Sequence, residues 1–304
     1  MPRLKIGTRG SPLALAQARE TRDRLAAAHG ISPDEIDIVA ISTTGDRIRD
    51  RPLAEIGGKG LFTKEIEEAL LAGAIDLAVH SMKDMPAQLP PGLIIGALLP
   101  REDARDAFIS PVAQSLTGLP HGATIGSSSV RRTAQVLRMR PDVKTVQFRG
   151  NVETRLRKLA EGVAQATFLA CAGLNRLGLS DKITAPMPVE IMLPAVAQGA
   201  IGLEIRQHDE TTRALVAAIN HRDTAIAVAC ERAFLAALDG SCRTPIAGHA
   251  VLDGAALRFR GHSLTLDGVH CFETTRQGSH ADAARMGREA GEEVKAAGGA
   301  LIAS

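Results

Sequence analysis

Short apolar runs alternate along the chain with longer stretches of helical period. Leu4 to Gly7, Ile36 to Ile41, Ile75 to Val79 and Leu93 to Leu98 are short, mostly apolar runs of four to six residues. That is the pattern of strands buried on both faces. An Ala/Leu-rich helix is predicted from Pro12 to about His29, with Ser11 as its cap, Pro12 in its first turn and Gly30 at its end. A second helix is predicted from Leu61 to Ala72. Past a charge-dense boundary from Pro100 to Asp106 the pattern repeats. Strands are predicted at Ala107–Ser110, Thr124–Ile125, Val143–Phe148 and Thr167–Ala170, with one helix running from the Gly126–Arg132 stretch to about Met139 and another after Asn151. A strand at Ala200–Ile205 precedes helices at Thr211–Ile219 and Thr224–Leu238, for which Asp209 and Asp223 are the candidate caps. The period then changes. Ile246–Val251, Ala256–His262 and Val269–Thr274 read as antiparallel strands, with turns at Asp253-Gly254 and Asp267-Gly268, and a helix from Asp282 to Ala297 closes the chain. Two α/β lobes followed by a small α+β domain are the architecture this implies.

The polar connections carry the candidate chemistry. Val79-His80-Ser81-Met82-Lys83-Asp84-Met85-Pro86 turns from apolar to polar at a strand end, where open α/β sheets bind ligands. Ser81, Lys83 and Asp84 are therefore candidates, although a Lys83–Asp84 pair facing water would look the same. Arg9 falls between a strand end and a helix start, an anion site by geometry. Residues 42–60 form a long polar connection ending in Gly57-Gly58-Lys59-Gly60; its spacing is not that of a P-loop, and a lid hinge is the simpler reading. Arg131 and Arg132 occupy a first helical turn, which is mildly unfavourable unless an anion sits there. With Arg149, Arg155 and Arg176 they suggest a cleft for a ligand bearing many carboxylates or phosphates. Gly240-Ser241-Cys242-Arg243 sets a thiol beside a cation, a setting that lowers a thiol pKa, although a lone cysteine is more often inert.

Composition narrows the classes. The 304 residues suffice for two or three domains. Net charge is +2, so no overall polyanion-binding signature exists. Arginine outnumbers lysine 28 to 8; codon bias explains that total equally well, so individual positions must carry the argument. Tyr and Trp are absent, which disfavours base-stacking nucleic-acid binders. No stretch is apolar for long enough to span a bilayer. Four cysteines without CxxC spacing and no export signal point to reduced thiols in the cytoplasm, and no ligand pair stands at metal spacing.

Taken together, several stretches closely resemble the porphobilinogen deaminase family. They are Gly7-Thr8-Arg9-Gly10-Ser11-Pro12, Gly57-Gly58-Lys59-Gly60-Leu61-Phe62, Val79-His80-Ser81-Met82-Lys83-Asp84, Arg101-Glu102-Asp103, Gly126-Ser127-Ser128-Ser129-Val130-Arg131-Arg132, Phe148-Arg149-Gly150-Asn151, Ala172-Gly173-Leu174, Leu193 to Gly199 and Gly240-Ser241-Cys242, in the family's order. The resemblance implies two doubly wound lobes similar to type II periplasmic binding proteins, plus a small α+β C-terminal domain. Residues 1–99 with 200–217, 100–199 and 218–304 are the expected domains. It implies head-to-tail condensation of four porphobilinogen molecules with loss of ammonia, primed by a dipyrromethane cofactor attached through Cys242. It implies Asp84 as the catalytic carboxylate, and Lys83, Ser81, Ser129, Arg131, Arg132 and Phe62 around the cofactor. Arg9, Ser11, Lys59, Arg149, Arg155, Arg176 and Gln198 are implied to meet substrate. A cytoplasmic monomer without metal, nucleic acid or membrane partners is expected. Thr44, Glu55 and Gln165 depart from common family residues, which weakens the lid contacts most. The rival reading is a two-lobed binding protein or sensor for a polycarboxylate, which would need neither Cys242 nor Asp84.

Overall fold

A computed structural model describes residues 4–47, 62–240 and 244–302. The first half of the chain runs β1 (Leu4–Arg9), α1 (Pro12–His29), β2 (Ile36–Ile41), α2 (Thr44–Arg47), α3 (Lys64–Leu71), β3 (Leu77–Ser81), β4 (Leu93–Leu98) and β5 (Asp106–Ile109). Then follow β6 (Thr124–Gly126), α4 (Val130–Met139), β7 (Lys144–Val146), α5 (Val152–Ala160), β8 (Ala166–Ala170), α6 (Cys171–Arg176) and β9 (Ala185–Pro186). The chain ends with β10 (Ile201–Arg206), α7 (Glu210–Ala217), α8 (Arg222–Ala237), β11 (Ile246–Asp253), β12 (Ala256–Leu264), β13 (Cys271–Ser279) and α9 (Ala283–Gly298). These elements fall into two compact units, Met1–Glu102 with Ala200–Ala225, and Asp103–Gly199 with Ile226–Ser304.

The first unit is built on a sheet of order β2-β1-β3-β10-β4. β1 pairs parallel with β2 and β3, while β10 runs antiparallel between β3 and β4. β3 lies in the middle, which is why four of its five residues are buried and why its sequence is apolar without alternation. Ile6, Leu25, Leu77, Val79, Leu203 and Ile205 meet in one core beside it. Ser11 caps α1 by accepting from the Ala14 N–H, as its sequence position suggests.

The second unit repeats the plan. Its sheet runs β7-β6-β8-β5-β9, with β6 parallel to β7 and β8, and β5 antiparallel to both of its neighbours. The antiparallel strand follows the strands it joins in the first sheet, where β10 comes after β3 and β4, and precedes them in the second, where β5 comes before β8 and β9. β7 is shorter than the predicted Val143–Phe148. Its partner β6 stops at Gly126 and bends into the Ser127–Ser129 cap of α4, so the ladder ends with Ser127 N–H donating to the Val146 carbonyl. Gly126 has no room for a side chain, because a Cβ there would lie 2.4 Å from the Phe148 ring.

The C-terminal residues form an antiparallel sheet of order β11-β12-β13. β13 extends past the predicted Thr274 to Ser279, which pairs with Ala256. α9 packs its buried Met286, Ala290 and Val294 against this layer. The turn before β13 rests on α4: Arg138 Nη1 donates to the Gly268 and Val269 carbonyls. Gly268 has φ +74°, and a Cβ there would sit 2.3 Å from the Ala134 carbonyl oxygen. Nearby, His262 is 6% exposed, and burial, with Arg260, Arg131 and Arg138 around it, pushes its ring down to about 3, so it is neutral. Asp223 does not cap α8. The helix starts at Arg222, two residues before the predicted Thr224, and the His221 ring accepts the Thr224 N–H instead. No helix among the described residues is long and apolar enough to cross a membrane.

Candidate active site

In the first unit the site forms where β3 ends. Ser81 closes the strand, and Met82–Asp84 make one tight 3-10 turn. Met82 and Met85 are 2% and 4% exposed, whereas Asp84 between them is exposed. Two buried methionines thus anchor a turn that leaves the Asp84 carboxylate exposed. Among the described residues Asp84 has no hydrogen-bond or ion-pair partner, so the Lys83–Asp84 surface pair is not what this turn forms. Arg9, Ser11, Phe62, His80 and Ser81 line one pocket with Asp84. The Arg9 guanidinium stacks over Phe62, 4.2 Å from the ring centroid, a cation–π contact that orders both side chains. Gln17 Nε2 donates to Ser81 Oγ at 2.9 Å.

Behind this pocket lies a buried polar group that the sequence reading missed. His80 Nε2 is 3.0 Å from Glu204 Oε2, and the two residues are 6% and 0% exposed. Glu67, 7% exposed, lies close enough to interact electrostatically with both. Burial, with Glu204 beside it, pushes the Glu67 carboxyl up against the opposing pull of Thr63 and His80. The signal was present, because a His and a Glu in otherwise apolar strands must find partners. The pairing itself needed the β3–β10 register, in which His80 lies opposite Gly202 and Glu204 opposite Ala78.

In the second unit the first-turn arginines do have an anion, and the protein supplies it. Asp106, on β5, is 0% exposed. Arg131 Nη1 lies 2.8 Å and Arg132 Nη2 2.7 Å from its carboxylate, and Gln198 Nε2 donates to it at 3.0 Å. Arg131 also donates to the Leu193 carbonyl and Arg132 to that of Phe168. Burial alone would push Asp106 up, but the two guanidinium groups hold it well below the usual carboxylate range. Arg131, Arg132 and Gln198 are 5%, 6% and 1% exposed, so all three are largely committed to this centre. The adjoining 194–199 loop is pinned in turn. Ala197 holds φ at 58°, and its N–H donates to the buried Glu231 carboxylate, which also accepts from Ala250. Asp106, whose arginine partners lie 25 and 26 residues away, reads in the sequence only as one more charge at a domain boundary.

The other arginines differ. Arg149 is half-buried, and its Nη1 is shielded from solvent with no hydrogen-bond partner. Ser128 Oγ, in the loop capping α4, is likewise buried and unsatisfied. Buried polar atoms without partners are costly, and donors of this kind suit a carboxylated ligand. Arg155 Nε donates to the Gly150 carbonyl and Arg176 Nη2 to that of Gly199. Ser129 caps α4 by accepting from the Arg132 N–H. Cys242 and Lys59 lie outside the described residues, as does most of the expected lid.

Comparison with known proteins gives these features a context. The family model "Porphobilinogen deaminase, dipyromethane cofactor binding domain" matches residues 4–214, and "Porphobilinogen deaminase, C-terminal domain" matches residues 225–296. A porphobilinogen deaminase of Nitrobacter winogradskyi is 59% identical over 290 residues, covering 95% of this chain and 92% of that protein. One from Paracoccus denitrificans is 60% identical over 292 residues, covering 96% and 93%. A periplasmic substrate-binding protein of an ABC transporter from Coxiella burnetii superposes with a TM-score of 0.43 at 15% identity, over 73% of this chain and 94% of that one.

Proposed function

The chain belongs to the porphobilinogen deaminase family, and on that premise we propose that it condenses four porphobilinogen molecules head to tail, losing ammonia each time, and releases hydroxymethylbilane for tetrapyrrole synthesis. The enzyme is a transferase that works on a dipyrromethane primer. When bound, the primer supplies the pyrrole carbon at which the chain grows. Cys242 holds it through a thioether, with Lys83, Ser81, Ser129 and Phe62 against it. The unsatisfied Arg149 Nη1 and Ser128 Oγ fit such a group, whose rings carry acetate and propionate side chains. Arg9, Ser11, Lys59, Arg149, Arg155 and Arg176 take the growing number of carboxylates. Arg131, Arg132 and Gln198 contribute as a wall fixed through Asp106. The domain division into 1–99 with 200–217, 100–199 and 218–304 is kept, and the protein acts as a cytoplasmic monomer.

The observation that carries the mechanism is the Asp84 carboxylate, without a hydrogen-bond or ion-pair partner among the described residues and held between two buried methionines in a pocket with Arg9. Loss of ammonia leaves an electron-poor azafulvene, and attack by the next pyrrole passes through cationic rings. A fixed carboxylate near the pyrrole N–H groups stabilises that charge and mediates proton transfer. A two-lobed binding protein is not favoured, since relatives of this identity and coverage are deaminases. Asp84→Asn keeps the shape and removes the charge. Single-turnover deamination of porphobilinogen should slow by about 10²–10³ while ligand still binds. A rate near the parent's would remove Asp84 from the mechanism.

A further inference from the structure

The three-stranded C-terminal sheet brings together a set of side chains that the deaminase chemistry does not use. In the β12–β13 register His262 lies directly opposite Glu273, and Leu264 opposite Cys271. Side chains alternate along a strand, so Cys271 and Glu273, two apart, point to the same face as His262. One His262 ring nitrogen, the Cys271 sulfur and a Glu273 carboxylate oxygen all lie within 4.8 Å of one another. The His262 Nε2 is fully buried and has no hydrogen-bond partner. Such a ring normally finds an acceptor or a donor; here it meets a thiol and a carboxylate. Motif spacing does not show the set, because His262 lies on the strand facing Cys271 and Glu273.

We propose that His262, Cys271 and Glu273 form a binding site for a zinc-class divalent cation on the C-terminal sheet. Imidazole, thiolate and carboxylate are the three donor types zinc takes, and three protein ligands leave a fourth position for water. Two of them bind as anions and balance the dication against the nearby arginines. The donors must draw together by roughly an ångström to reach bond lengths of about 2.0–2.3 Å. Glu273 can do most of that moving. It now pairs with Arg260 at 3.2 Å on a half-open surface, a contact that costs little to exchange. A cation there would clip β12 to β13 just behind the turn that rests on α4, the helix bearing Arg131 and Arg132.

Cobalt(II) is the probe. Added to the purified full-length holoenzyme in metal-free buffer, it should bind one equivalent with a near-ultraviolet thiolate-to-cobalt band, and zinc should displace it. Cys271→Ser should abolish the band. Glu273→Gln, at an exposed position that leaves folding intact, should weaken cobalt binding by at least about 10-fold. Zinc should raise the melting temperature of the parent and leave that of Cys271→Ser unchanged. No band at millimolar cobalt, or a band that persists in Cys271→Ser, overturns the proposal.

Discussion

Replacing Asp106 by Asn tests whether the second unit is organised around one buried charge. The carboxylate accepts from Arg132 Nε at 3.0 Å and Nη2 at 2.7 Å and from Gln198 Nε2 at 3.0 Å, and it pairs with Arg131 at 2.8 Å. Asparagine keeps the volume but turns one acceptor into a donor, which then faces donors on every side. It also leaves two guanidinium groups, 5% and 6% exposed, without a counterion. Removing one partner of a buried ion pair costs about 3–5 kcal/mol. The Leu193 and Phe168 carbonyls soften the loss, yet neither carries a full charge. At about 2–4 °C per kcal/mol for a unit of this size, the melting temperature should fall by roughly 6–20 °C. Urea unfolding at pH 7 measures the free energy, and a loss below about 1 kcal/mol would refute the reasoning. The pH dependence gives a second reading. The folded pKa is depressed, so the contribution is fully present above the unfolded value near 3.9. As pH falls below that value, the unfolded chain takes up a proton that the folded one refuses. The advantage of the parent over Asp106→Asn should therefore be flat from pH 8 to 5 and shrink by about 1.4 kcal/mol per unit below pH 4.

Arg149→Leu should weaken primer or substrate binding by about 1.5–3 kcal/mol, read from the fraction of loaded protein and from titration, with stability barely changed because its Nη1 has no partner to lose; unchanged affinity would count against its role. The parent's intact mass should exceed its sequence mass by two linked pyrrole units and that of Cys242→Ser should not, whereas an active parent at its bare mass would refute the attachment. Cys171 and Cys230 are pushed up to about 12 by burial, so iodoacetamide at pH 8 should label neither in the native protein, as peptide mass mapping would show. Gly268→Ala should cost roughly 2–4 kcal/mol by urea unfolding, since it meets both a left-handed backbone and the Ala134 carbonyl; a change under about 0.5 kcal/mol would mean that the turn does not rest on α4.

The strands and most helices were legible because burial on both faces leaves an unmistakable apolar run, as in Leu77–Val79. Caps with a side chain in the right place, Ser11 and Asp209, were legible for the same local reason. Where the reading failed, the cause was a contact distant in sequence. Arg131 and Arg132 were correctly read as needing an anion, but Asp106 lies 25 residues upstream on a strand, and no local rule connects them. Gln198, which the resemblance places near substrate, donates its amide to that carboxylate and to the Ala104 carbonyl, contacts that no local pattern shows. The His80–Glu204 pair joins residues 124 apart through the pairing of β3 with β10. His262, Cys271 and Glu273 share a face through register alone. Asp84 was the easier case, since a strand end and a tight turn are both local.

The antiparallel strand β10, which returns to the first sheet after the second is made, has a consequence in time. Ile201 follows Ser81 by 120 residues, so β3 leaves the ribosome long before the β10 backbone that will pair with it. At about 5–20 residues per second, the wait is roughly 6–24 s. Throughout it the middle strand of the first sheet is an edge, apolar on both faces, with a free row of N–H and C=O groups. The second unit suffers no such delay, because β5 is made before the strand it joins, β8. Synthesis therefore completes the sheet of the later unit first, and the strand that leads into the Asp84 turn acquires its last neighbour only after the sheet beside the Arg131–Arg132 helix is whole.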